Sequence, residues 1–166
     1  MGYSMPRVTH MLLADMRAWL FQANPARWRI FDYIRDNPDE MHADWNWSCW
    51  RFRDEISIGD ACALWITGSP RVRGIHAVGH IVGEPYQAVE DSEYWTDAAD
   101  RSRVRWFVDM LFEHWLLDEP VLAIDLKRDA RFAAASILRT PRFANPHPLT
   151  DEQWAAVLDL LPDDAG

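Results

Sequence analysis

The sequence predicts a small α+β barrel flanked by helices, and three observations lead there. Short apolar runs alternate in the manner of strands and are separated by bends that carry glycine or proline. Helical spacing follows the first of these runs and returns near the C-terminus. The 166 residues suffice for one domain with a real core, and no internal repeat, low-complexity tract or long linker divides them.

Ala18 to Ala23 reads as the first strand. It ends on Asn24-Pro25, where asparagine suits a helix N-cap and proline a first turn that needs no N–H. The expected helix, PARWRIFDYI, sets Trp28, Phe31 and Ile34 three apart on one face, and Asn37-Pro38 stops it. In DWNWSCWRF an extended chain puts Trp45 and Trp47 on one side, Trp50 and Phe52 on the other. Ile58-Gly59-Asp60 turns into ACALWIT, with Cys62, Leu64 and Ile66 on one face and Ala63, Trp65 and Thr67 on the opposite one. The loop GSPRVRG and the glycine-bearing strand GIHAVGHIV complete a hairpin. Residues 84 to 102 read as a polar, acidic loop around Tyr94-Trp95. RVRWFVDML then resumes alternation, with Val104, Trp106, Val108 and Met110 facing one way. The tail holds the helical segments ARFAAASIL and TDEQWAAVLDLL, the second opened by a capping box of Thr150 and Gln153.

A net charge of −9 argues against sequence-independent gripping of nucleic acid, which needs many cation–phosphate contacts. It leaves room for a reader that holds one base and touches few phosphates. The basic residues are almost all arginine, with Lys127 the single lysine. Bidentate phosphate recognition and the codon usage of a GC-rich genome both account for that. Nothing approaches the ~18 apolar residues of a membrane span, and the N-terminus lacks the pattern of a signal peptide. Cys49 and Cys62 without a CxxC suit a reducing compartment, so the expected location is the cytoplasm.

Enzyme signatures are scarce: there is no G-x-S-x-G elbow, phosphate-cradling glycine loop or H-E-x-x-H. His76 and His80 share one face of an ideal strand, but no third ligand stands at zinc-like spacing. His114 beside Glu113 is no stronger, and Asp118-Glu119 before Pro120 reads as a turn. Ten tryptophans are the outstanding feature, since an indole serves a core and a stacking site equally well. Trp47, Trp50, Trp65 and Trp95 come from separate points of the chain and can converge at a barrel mouth around a flat ligand, or fill core instead. Trp19, Trp28, Trp106 and Trp154 are assigned to the core.

The runs WLFQANPARW, WSCWRFRDEISIGDACALWITG and GIHAVGHIVGEP, with ILRTPRFANPHPLTDEQW near the end, together resemble an EVE domain. That family has a PUA-like fold related to the YTH readers of methylated adenine. The resemblance implies a PUA-like mixed β-barrel flanked by helices over residues 17–161, with an N-terminal extension at 1–16 and a short acidic tail at 162–166. It implies a pocket for a modified nucleobase in DNA or RNA, without catalysis, cofactor or metal. Asn24 would meet the base edge, Trp47 and Trp95 would be walls, and Ser48 a polar neighbour; Trp50 and Trp65, from the aromatic series, are further pocket candidates that would serve a core equally well. Flanking phosphates would meet Arg51, Arg53, Arg71 and Arg73, with Arg27 a further candidate. The family is associated with bacterial defence against modified DNA, which suggests a nuclease or another restriction component as partner; the chain itself is expected to be a monomer. Two other readings stand beside this one. An ASCH-like amidohydrolase acting on a modified nucleoside would need a lysine, and Lys127 lies away from the strand motifs. The other is a protein-interaction module with a degenerate pocket.

Overall fold

The computed structural model describes residues 16–163. Residues 1–15 and 164–166, which make up most of the expected extension and tail, lie outside the described residues. The strands are β1 (Ala18–Ala23), β2 (Trp45–Ser48), β3 (Ala61–Ile66), β4 (Gly74–Ile81), β5 (Tyr86–Val89), β6 (Val104–Trp115), β7 (Val121–Leu122) and β8 (His147–Leu149). The helices are α1 (Ile30–Asp36), α2 (Ala98–Arg101), α3 (Ala123–Arg128), α4 (Ser136–Arg139) and α5 (Asp151–Asp159).

One mixed sheet runs in the order β2-β6-β4-β3-β1-β8, with β5 added beside β6 and β7 beside β4. Among the described strands only β1 and β3 pair in parallel, and the long β6 spans the fold. The sheet curls into a half-barrel. Its open side lies between the segments of β2 and β8, where the Arg51 N–H reaches the Asn145 carbonyl at 3.4 Å.

The central strand β3 is buried on both faces, as an uninterrupted apolar run demands. Cys62, Leu64 and Ile66 join Trp19, Phe21 and Phe112 in one core. Ala61, Ala63 and Trp65 join Leu20, Phe132 and Ala156 in the other. The alternation expected for this strand therefore holds, and the sheet divides two cores.

The Gly59-Asp60 turn fastens this arrangement. Asp60 is only 4% exposed, and its carboxylate accepts the Trp19 indole N–H at 2.8 Å and the Ser57 N–H at 2.9 Å. Both glycines of the next motif are forced by close crossings. A Cβ on Gly79 would lie 1.8 Å from the Leu111 carbonyl oxygen of β6. Gly74 has φ +153°, and a Cβ there would lie 2.2 Å from the Val121 carbonyl oxygen of β7. The expected capping box of α5 is formed, with Thr150 and Gln153 each accepting the other's backbone N–H.

Three elements differ from expectation. The first helix starts at Ile30, because residues 24–29 are drawn into a turn. Asn24 Oδ1 accepts the Ala26 N–H, its carbonyl accepts those of Arg27 and Trp28, and the Arg29 N–H crosses to the Tyr94 carbonyl. The buried face is accordingly Ile30 and Ile34, and Phe31 is 40% exposed. The acidic loop at 84–102 contains β5 and α2, since the free edge of β6 gives residues 86–89 a ladder that the acidic sequence around them does not advertise. In the tail, ARFAAASIL is largely turn, with the short α4 at its end, and α3 lies before it.

Candidate functional site

Strand β8 accompanies β1 only from Ala18 to Leu20. Beyond that point the outer edge of β1 has no strand beside it, so the Gln22 N–H and C=O need other partners. Asn145 supplies both, accepting the N–H at 3.0 Å and donating to the carbonyl at 3.2 Å. The same carbonyl accepts the Trp47 indole N–H at 3.0 Å. An unsatisfied buried group of this kind costs about 1–3 kcal/mol, so these side chains hold the open edge of the sheet in shape.

The open edge gives onto a cavity of about 810 Å³, within the range of small-molecule sites. Its walls come from β1, β2, β5, β6 and the loop after β5. Trp28 and Trp47 meet at right angles, with ring centroids 5.8 Å apart. Trp95 donates its N–H to the Glu90 carbonyl at 3.1 Å and carries the Arg105 guanidinium over its ring at 4.6 Å. Arg105 is fixed in turn by the Asp100 carboxylate at 2.6 Å and the Asp100 carbonyl at 2.8 Å. Tyr86 donates to Asp109 at 2.7 Å; burial, and next that bond, push its phenol up to about 12, so it stays a donor. Burial also raises the Glu90 carboxyl, against the opposing pull of Arg105.

Of the residues expected in the pocket, Asn24, Trp47, Ser48, Trp50 and Trp95 all line this cavity. Trp65 does not: it is 1% exposed in the core on the far face of the sheet from Trp47, because strand alternation groups it with Ala61 and Ala63. Asn24 is exposed and caps a turn rather than a helix. Arg27 lines the cavity and pairs with Asp100 at 3.5 Å. Arg51 and Arg53 lie beside the mouth, their guanidinium carbons over the rings of Phe143 and Trp106 at 4.0 and 4.5 Å. Arg71 and Arg73 stand exposed on the loop between β3 and β4 and do not line the cavity, because that hairpin folds over α1 instead.

Trp28 and Trp106, expected in the core, both stand in the cavity wall, as do Glu90, Asp109 and Asn145. A signal for part of this set was present. Within β6, Arg105, Asp109 and Glu113 recur at even spacing, which marks a polar face. Nothing local marks Asn145, whose partner lies 123 residues away.

The remaining reactive groups are occupied elsewhere. Burial pushes the Cys49 thiol up to about 12 and raises that of Cys62, so both are protonated at neutral pH. His76 is the extra residue of a β-bulge, opposite the Leu64–Trp65 step, and its Nε2 donates to the Val72 carbonyl at 2.6 Å. His80 pairs with Glu113 on the surface. Lys127 is exposed on α3, which packs on the core away from the cavity. Among the described residues no group of three His, Cys, Asp or Glu side chains is placed to hold a metal ion. None of the described helices is long and apolar enough to cross a membrane. The cavity lining combines indole rings with amide, hydroxyl and carboxyl groups.

The family model described as EVE domain matches residues 17–160. No curated protein matches the chain. Among solved structures, a hypothetical protein from Leishmania major is 17% identical, with TM-score 0.63, covering 89% of this chain and 95% of that one. The protein PSPTO5229 from Pseudomonas syringae is 20% identical, with TM-score 0.62 and coverages of 86% and 98%. Human THYN1, solved in complex with 5-methylcytosine containing DNA, is 18% identical, with TM-score 0.57 and coverages of 87% and 96%. At these identities the likeness is one of fold.

Proposed function

We propose that this chain, which belongs to the EVE domain family, captures a single modified nucleobase of DNA in the cavity beside β1 and does so without catalysis. The observation that carries the reading is the cavity itself: about 810 Å³ at an unpaired strand edge, walled by Trp28, Trp47, Trp95 and Trp106. The DNA-bound state of THYN1, a protein of like fold, supports DNA containing a modified base as the ligand. In this reading Trp47 and Trp95 are stacking walls, and Asn24 and Ser48 address the base edge. The acting unit is the domain at 17–161, as a cytoplasmic monomer that hands the captured base to a nuclease or similar restriction component.

The energetics are consistent. Extracting a base from its stack costs a few kcal/mol. Stacking on aromatic side chains returns about 1–3 kcal/mol per base, and burying a methyl group adds about 0.8 kcal/mol. Because the chain carries a net charge of −9, affinity has to come from the captured base rather than from many phosphates.

The test is fluorescence anisotropy with oligonucleotides that carry 5-methylcytosine, N6-methyladenine or no modification, in DNA and RNA forms at one salt concentration. A modified DNA is expected to bind about tenfold more tightly than its plain counterpart. Trp47→Ala should lose about tenfold or more of that affinity. Equal binding of modified and plain strands by the wild type overturns the reading.

A further inference from the structure

The chain leaving β2 builds a second feature next to the cavity mouth. Cys49 is fully buried and its N–H is bonded to the Trp106 carbonyl at 2.9 Å, which fixes the backbone there and turns the next side chain outward. Trp50 is consequently 51% exposed although it lines the cavity. Six of the ten indoles donate their N–H to an acceptor within the protein. Trp50 does not, and no ring stacks on it among the described residues. Phe52 holds φ at +60°, a left-handed conformation unusual for a bulky side chain.

On either side of it, two arginines sit over aromatic rings. Arg51 lies 4.0 Å above the ring of Phe143, itself 41% exposed, and donates to the Phe143 carbonyl at 3.3 Å. Arg53 lies 4.5 Å above Trp106 and donates to the Trp50 carbonyl at 3.3 Å. Arg27, Arg29, Arg35, Arg105 and Arg131 all pair with carboxylates. Arg51 and Arg53 bond only carbonyls among the described residues, in a chain with 26 acidic side chains. An exposed indole and two cations without acidic partners therefore stand together, continuous with the cavity through Trp50 and Trp106.

We infer that this ledge holds the nucleotides flanking the captured base. The neighbouring base stacks on Trp50, and the phosphates beside it meet the guanidinium groups of Arg51 and Arg53, which aromatic rings have already set in place. Ordering these arginines in the free protein removes part of the entropy cost of binding. The inference rests on the cavity reading above and adds a polymer site to it: the protein holds a strand, not an isolated nucleoside.

The experiment compares free 5-methyldeoxycytidine with a single-stranded DNA of about 15 nucleotides carrying one 5-methylcytosine. Both are titrated against the wild type, Trp50→Ala and the double variant R51Q/R53Q, with folding checked by thermal melting. The wild type should bind the strand far more tightly than the nucleoside. Trp50→Ala should lose about tenfold on the strand. For R51Q/R53Q, the slope of log affinity against log salt should fall by about 1.4, two single-strand phosphate contacts, while nucleoside binding stays at the wild-type level. A salt slope unchanged in R51Q/R53Q, or a wild type that binds strand and nucleoside alike, overturns the ledge and leaves base capture standing. A wild type that binds modified and plain strands equally overturns base capture, and the ledge with it.

Discussion

Replacing Asp60 by alanine removes the acceptor of three hydrogen bonds in one step. The Trp19 indole N–H at 2.8 Å is the most exposed to loss, because Trp19 is 1% exposed and no water reaches it as a substitute. The Ser57 N–H at 2.9 Å and the longer Arg17 N–H at 3.3 Å lose the same carboxylate. Hydrogen bonds to a charged group are worth about 1.5–3 kcal/mol, and the two shorter ones together give a cost of about 3–4 kcal/mol. For a chain of 166 residues this lowers Tm by about 10 °C. The assay is a double-mutant cycle by urea denaturation with Trp19→Phe, which keeps an aromatic ring but has no N–H to donate. If the indole–carboxylate bond carries the effect, Asp60→Ala should cost about 1.5–2 kcal/mol less in the Trp19→Phe background than in the wild type. Equal costs in both backgrounds refute the argument and leave Asp60 as no more than a turn residue.

Two further outcomes follow from the geometry. Gly79→Ala sets a methyl 1.8 Å from the Leu111 carbonyl oxygen, where backbone on both sides prevents relief. A loss of at least about 4 kcal/mol is expected, read by thermal melting, and a Tm within about 3 °C of the wild type contradicts the close crossing of β4 and β6. Burial raises the Glu90 carboxyl above its ordinary 4.5, so the folded protein holds that proton to higher pH than the unfolded chain does. The stability this confers is full below pH 4.5 and is lost as pH rises through the folded value. Urea titrations between about pH 4 and pH 8 should therefore show Glu90→Gln gaining on the wild type as pH rises, and a constant difference rules the effect out.

Much of the fold was legible because its causes are local. The period of two in ACALWIT assigned residues 62–66 of β3 to the correct faces, and Thr150 with Gln153 announced the start of α5 from four residues of chemistry. A glycine inside the strand GIHAVGHIV was visible in the sequence, but the close backbone approaches of β7 at Gly74 and of β6 at Gly79 were not. Asn24, Trp47, Ser48, Trp50 and Trp95 were named from the sequence and do line one cavity.

Local reasoning failed where a partner far along the chain competed with propensity. Residues 24–29 have good helix-opening chemistry, yet a turn closed by Asn24 and a bridge between Trp28 and Trp95 take them instead. Composition could count ten indoles but not sort them, since an indole is stable in a core or against a cavity. Trp65 went inward because the C-terminal helices cover its face of β3; Trp28 and Trp106 reached the cavity because no strand covers the end of β1. The sequence by itself determined strand periods, caps and the residue types fit for stacking. The tertiary structure alone decided which faces stayed open, because the closing of that edge depends on Gln22 meeting Asn145 across 123 residues of chain.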